Sequence, residues 1–251
     1  MPTTRRAGLL AVLALALAAC ATGAPTTVPN SVLVVGASGQ TGQLLVAQLA
    51  AEGYAVRAMV RDAAKPGVAF PSAVTVVSGD VKDPASLGPA MAGMQAVVSA
   101  VGAKTAKGPD RPEMIDYQGV KNLAEAARAA GIRQFVLVSS RSVTQDDNPL
   151  NTMFGDVLKW KLKGEDALRA SGVPYTVVRP GGLLNKPGRQ QTVVFEQGDT
   201  VSTQTTIARA DVADICVQAL KHPEALNKTF EASSVAGPPA TDWRARFAAL
   251  K

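Results

Sequence analysis

One stretch constrains this chain more than any other, an apolar, β-branched run that breaks into three glycines spaced by two residues. Residues 32–42 read V-L-V-V-G-A-S-G-Q-T-G, which predicts a strand, a tight turn and the first turn of a helix. Gly36 lets the chain reverse as it leaves the strand. Gly39 lets backbone approach an anionic group closely, and Gly42 lets the helix pack near the sheet. The helix N-terminus adds unpaired amides and a partial positive charge. Leu44, Leu45, Gln48 and Leu49 follow in helical register before Gly53 closes the helix. The loop, with Ser38, Gln40 and Thr41 between and beside its glycines, therefore reads as a dinucleotide site.

The rest of the chain repeats the alternation. Residues 54–60 form a second strand ending in Arg61-Asp62, and 74–77 a third ending in Gly79-Asp80-Val81. Asp83-Pro84 supplies an N-cap and a proline at the first helical position, and Gly93 stops that helix. Strand four spans 95–101 and runs into Gly102, a long helix spans 112–130, and strand five spans 133–139, closing on Ser139-Ser140. A helix over 152–170 and a sixth strand over 173–178 follow, leading into Arg179-Pro180-Gly181-Gly182. Strands alternating with helices predict an α/β, doubly wound parallel sheet, a Rossmann fold, with ligand at the carboxyl ends of the strands. Beyond it lie a less regular segment at about 183–207, suited to a substrate cap, a helix over 210–220 with Asp211 in its first turn, a short strand at 229–231 and a terminal helix over 243–250. A single domain over 31–251 suits the length.

Several segments together carry a family likeness: Gly36-x-x-Gly39-x-x-Gly42, V-R-A-M-V-R-D at 56–62, S-G-D-V at 78–81, F-V-L-V-S-S at 135–140 and Y-T-V-V-R-P-G-G at 175–182. The chain resembles the atypical short-chain dehydrogenase/reductase proteins, in the NAD(P)H-binding group with NmrA-like and flavin- or biliverdin-reductase-like members. The likeness covers about 31–230. It implies that Asp80 and Val81 approach the adenine, and that Ala100, Val101 and Gly102 lie over the phosphate and ribose. It also implies that Ser139 and Ser140 hold the catalytic or cofactor-orienting serine position, that Lys161 binds the nicotinamide ribose, and that Pro180 and Gly181 line the nicotinamide side. In such folds an acidic residue at the end of strand two takes the ribose hydroxyls, whereas a basic one accepts a 2′-phosphate. Arg61, with Arg57 and Lys65 nearby, favours NADP over NAD, and Asp62 is the opposing signal.

The superfamily's Tyr-x-x-x-Lys pair has a decoy here. Tyr117 and Lys121 match its letters but lie on the helix before strand five, where packing is the expected role. The helix over 152–170 carries Lys161 and Glu165, and Val157 stands one turn earlier, where the resemblance places a tyrosine. Positions four apart share a helix face, so Val157 faces the cofactor without a proton to give. Ser140 and Lys161 remain as the catalytic candidates. Two readings stay open: an NADPH-dependent reductase of a conjugated acceptor such as a flavin or quinone, and a non-catalytic NAD(P)-binding sensor or docking module.

Composition removes other chemistries. The one histidine, His222, lies between Lys221 and Pro223 at a helix end, so a serine–histidine triad or histidine-rich metal site lacks parts. Lys and Arg are scattered, which disfavours a nucleic-acid surface. Arg5 and Arg6, the apolar residues 7–17 and the ending Leu17-Ala18-Ala19-Cys20 resemble a bacterial lipoprotein signal. Residues 1–20 are then removed or lipidated at Cys20, and 21–30 form a tether. An exported domain, lipid-anchored on the periplasmic side of a bacterial membrane, is the expectation. Removing Arg5 and Arg6 from the 26 basic residues leaves 24 against 20 acidic, a formal +4. Cys216, in an apolar helical run, reads as a buried thiol.

Overall fold

The structure, a computed structural model, describes Met1 and residues 28–200 and 206–251. Nearly all of the expected signal and most of the tether, Cys20 included, lie outside the described residues.

The apolar runs become β1 (Ser31–Val35), β2 (Ala55–Val60), β3 (Thr75–Ser78), β4 (Ala96–Ser99), β5 (Gln134–Val138) and β6 (Tyr175–Pro180). Each pairs in parallel with its neighbours, in the order β3-β2-β1-β4-β5-β6. Successive strand side chains point to opposite faces, and β1 uses both. Val32 and Val34 pack on one side with Leu45 and Leu49 of helix α1 (Gln40–Ala51). Leu33 and Val35 pack on the other with Leu87 of α2 (Pro84–Met91) and Leu123 of α3 (Val120–Ala129). The strand order is that of a Rossmann sheet, with helices covering both faces.

Four elements depart from the sequence reading. The helix expected over 112–130 opens as a π-helical segment, Glu113–Gly119, before α3 begins. The helix carrying Lys161, Val157–Ser171, packs against the wide π turn at Gly164, where a Cβ would overlap the carbonyl oxygen of Asp116. The helix expected over 152–170 is broken into α4 (Pro149–Met153) and α5 (Val157–Ser171). Gly155 and Asp156 between them are left-handed, at φ +60° and +56°, which a continuing helix forbids. Asn151 bridges the break, its Oδ1 accepting from the Leu158 amide at 2.9 Å.

The segment expected to be a cap is divided. It contains β7 (Gly182–Leu184), β8 (Thr192–Glu196) and β9 (Thr206–Ala208), and β7 pairs with β9. β8 instead joins the main sheet, antiparallel to β10 (Lys228–Val235), which pairs in parallel with β6 and is longer than the expected strand at 229–231. The reason is apolar packing: Phe195 of β8 lies 4.3 Å from the Phe230 ring and 5.5 Å from Phe247 of α7 (Trp243–Ala248). Among the described residues of that segment, only Leu183 lines the cleft described below.

Candidate functional site

The carboxyl ends of β1 to β6 open onto two adjoining cavities of about 780 Å³ and about 1790 Å³, both partly open to solvent. They share Ser38, Gly39, Ala100, Val101, Gly102 and Lys104, so the two form one trough running across the glycine loop. A trough at this edge is where open α/β sheets bind ligands.

The loop is built as its spacing predicts. Gly36 is left-handed at φ +76°, and its carbonyl accepts from the Gly39 amide at 2.9 Å, closing the turn. A Cβ at Gly42 would overlap the Gly36 carbonyl, so only glycine lets α1 start this close to β1. Gly42 alone among the predicted binding residues lines neither cavity; its place is in packing. Gly39 is the N-cap of α1, and a Cβ there would touch nothing nearer than the Gly36 oxygen at 3.2 Å, leaving its outer side to the trough. The first amides of α1 have no partner within the helix. Open backbone at a helix N-terminus fits a pyrophosphate, so the loop passes the test for a bound dinucleotide.

The smaller cavity is lined by Gly36, Arg61, Asp80 and Val81 from the predicted set, and also by Lys82, Lys104 and Asp110. Arg61 Nη1 lies 3.0 Å from Asp110 Oδ2, and Lys82 Nζ lies 2.6 Å from Asp110 Oδ1. The hydrogen bond from Lys82 holds the Asp110 carboxyl below its usual range, and Asp110 in turn raises the Lys82 ammonium. Arg57 does not join this group; it reaches away to donate to the carbonyls of Ala90 and Ala92. Lys65 lines neither cavity. Asp62 turns back to accept from the Ala64 amide at 2.9 Å. The second cation on Asp110 is thus Lys82, which the sequence reading missed because it follows strand three rather than strand two.

The larger cavity gathers Gln40, Thr41, Ser139, Ser140, Val157, Lys161, Pro180 and Gly181, together with the unpredicted Arg141 and Arg209. Val157 begins α5 and Lys161 stands one turn on, so the two share the cavity face as their spacing requires. Lys161 Nζ lies 2.6 Å from Oδ1 of Asp116, whose side chain is 1% exposed. The second oxygen of Asp116 accepts from the Ala103 amide at 3.1 Å, so one carboxylate on the π-helical segment holds both the lysine and the loop after β4.

Ser139 and Ser140 divide their duties. Ser139 Oγ donates to Glu165 at 2.6 Å. Glu165 is fully buried and also accepts from Arg179 and Arg169, each at 2.7 Å from its Oε2. Arg179 extends the chain to Glu231 at 3.0 Å. Burial pulls the Arg179 guanidinium down, but Glu165 and Glu231 outweigh it and hold it above its ordinary value. This network fixes the strand ends beneath the cavity; both serines line it, Ser140 half-buried where Ser139 is buried. Tyr117 lines neither cavity; it stacks on Trp160 of α5 at 5.9 Å rather than against the sheet. His222 caps the end of α6 (Arg209–Lys221), away from the trough. Cys216 is fully buried, and burial pushes its thiol up to about 12. Among the described residues no cluster could hold a metal ion, and no helix is long and apolar enough to cross a membrane.

Sheet order, glycine turn and trough together define a Rossmann protein of the dinucleotide-binding class. The chain belongs to the NAD(P)H-binding family, whose model matches residues 36–223. It is 40% identical over 250 residues to an uncharacterised chloroplastic protein of Arabidopsis thaliana, covering 89% of this chain and 76% of that one. It is 33% identical over 260 residues to sanguinarine reductase of Eschscholzia californica, covering 86% and 94%. A solved structure from Bacillus halodurans, assigned as an NAD-dependent epimerase/dehydratase, superposes with a TM-score of 0.74 at 29% identity over 83% of this chain and 95% of that one.

Proposed function

We propose that the protein is an NADPH-dependent reductase of conjugated acceptors, flavin- or quinone-like in chemistry. One observation carries this: Val157 stands beside Lys161 at the cavity wall, and no tyrosine, histidine, aspartate or glutamate lines the larger cavity among the described residues. Family membership supports the nicotinamide cofactor, and the named reductase among the relatives supports reduction. When bound, the cofactor supplies a hydride. The chain's part is to hold and align: Gly39 and the first amides of α1 take the pyrophosphate, and Arg61 with Lys82 takes the 2′-phosphate. Lys161, fixed by Asp116, takes ribose hydroxyls, and Ser140 orients the ring or acceptor. With no acid at Val157, the proton comes from solvent, which suits acceptors whose reduced form is delocalised.

The test is NADPH depletion over a panel of flavins, quinones and aldehydes. Turnover of a flavin or quinone that disappears in Gly39→Val supports the reading. Tight NADPH binding with no turnover on any acceptor replaces it with the binding-module reading, which the engagement of Lys161 by Asp116 and of Ser139 by Glu165 favours. For location, the proposal is export and lipidation at Cys20, supported by the basic, apolar and small-residue sequence before it. Two acyl chains or more would anchor it stably. Mass spectrometry of the native N-terminus checks this, and a peptide containing residues before Cys20 would refute it.

A further inference from the structure

Resting on the NADP reading above, we propose that Asp110 is a specificity-determining residue, an internal anion that occupies the two cations a 2′-phosphate needs and so sets how strongly NADP is favoured over NAD. Asp110 bridges Arg61 at 3.0 Å and Lys82 at 2.6 Å, one carboxylate oxygen to each. The fourth member is Asp80, whose Oδ2 lies 3.8 Å from Lys82 Nζ. Two cations and two carboxylates make the cluster formally neutral, so the charge of Arg61 and Lys82 is already balanced before an anion arrives, and Lys104 is a further cation in the lining. All four line the smaller cavity.

Asp110 comes from a different part of the chain than its partners. Arg61 follows β2 and Lys82 follows β3, whereas Asp110 ends the loop between β4 and the π-helical segment. A carboxylate brought from elsewhere to close two cations is a substitute ligand in geometry, with two oxygens where a phosphate has three. The contest is unequal. The side chains of Arg61, Asp110 and Lys82 are 70%, 33% and 25% exposed, and ion pairs this exposed are weak and screened. A phosphate monoester carries nearly two negative charges and makes stronger, charge-assisted hydrogen bonds. It displaces Asp110, but against a standing competitor, and NAD, which lacks the phosphate, meets no such competition. Asp110 therefore narrows the preference that Arg61 and Lys82 create.

The full chain and its Asp110→Asn variant are titrated with NADPH and NADH by cofactor fluorescence, and with 2′-phospho-AMP and AMP by calorimetry. Asp110→Asn should bind NADPH and 2′-phospho-AMP about three- to tenfold more tightly, while NADH and AMP change by less than about twofold. The gain should vanish in an Arg61→Ala, Lys82→Ala background, and its persistence there would overturn the proposal as a general charge effect. Unchanged or weaker NADPH binding in a folded Asp110→Asn would also overturn it, showing that Asp110 organises the cations rather than competing for them. Failure of the NADP reading looks different: wild-type protein that does not prefer 2′-phospho-AMP to AMP, while Asp110→Asn does, sinks that reading and leaves Asp110 as the mask.

Discussion

At one end of the trough Arg61, Lys82 and Asp110 meet in partial solvent, their side chains 70%, 25% and 33% exposed; at the other, Asp116, Glu165 and Arg179 hold their charges at 1%, 0% and 8%. The chemistry of the pairs is the same, carboxylate with ammonium or guanidinium, yet their consequences differ. An exposed pair contributes about 0–1 kcal/mol and can be exchanged for a ligand. A buried pair, once one partner is removed, leaves an uncompensated charge that costs about 3–5 kcal/mol. The end at Arg61, Lys82 and Asp110 is therefore adjustable, and the end beneath Ser139, Val157 and Lys161 is scaffold.

The largest expected effect lies in that scaffold. Glu165→Leu leaves Arg179 with Glu231 alone and removes the Ser139 and Arg169 contacts, and should lose about 3–5 kcal/mol in urea unfolding. A loss below about 1 kcal/mol would erase the contrast between the two ends. Lys161→Met should cost somewhat less, about 2–3 kcal/mol, because Asp116 keeps the Ala103 amide. Adding Asp116→Leu should recover part of that loss; a further fall would mean that Asp116 supports the π-helical segment independently of the lysine.

Gly39→Val should weaken NADPH binding at least tenfold, about 1.4 kcal/mol, while costing about 1 kcal/mol of stability through the poorer N-cap. Equal affinities in a fluorescence titration would remove the site from this loop. Arg61→Ala should be the mildest for the fold, within about 0.5 kcal/mol, yet lose NADPH affinity with NADH affinity nearly unchanged. If both affinities fall together, or neither moves, Arg61 is a surface charge only.

How much of this was legible in the sequence follows the same division. Local rules read the glycine turn, the strand alternation and the caps at Asp83 and Gly53, because each depends on a few neighbouring residues. The lining of the trough was legible through Arg61, Asp80, Ser140, Lys161 and Gly181, since strand ends converge in any doubly wound sheet. Asp110, Asp116 and Lys82 were not, because each matters through a partner 28–49 residues away or more, as Lys82–Asp110 and Arg61–Asp110 show. The break at Gly155-Asp156 was hidden by good helical residues on both sides. β8 was read as cap because its role depends on packing with Phe230 and Phe247, contacts that periodicity does not encode.

Val157 offers the most direct test of the account. A positioned acid is worth about a hundredfold to ten-thousandfold in carbonyl reduction, and no tyrosine, histidine or carboxyl group lines this wall among the described residues. Initial rates of NADPH oxidation by the unmodified protein, with a quinone and with an unactivated ketone, decide it. The account predicts that kcat/KM for the quinone exceeds that for the ketone by at least about a hundredfold. Robust turnover of the ketone would contradict it and require a proton donor from elsewhere, such as Tyr117 or Tyr175.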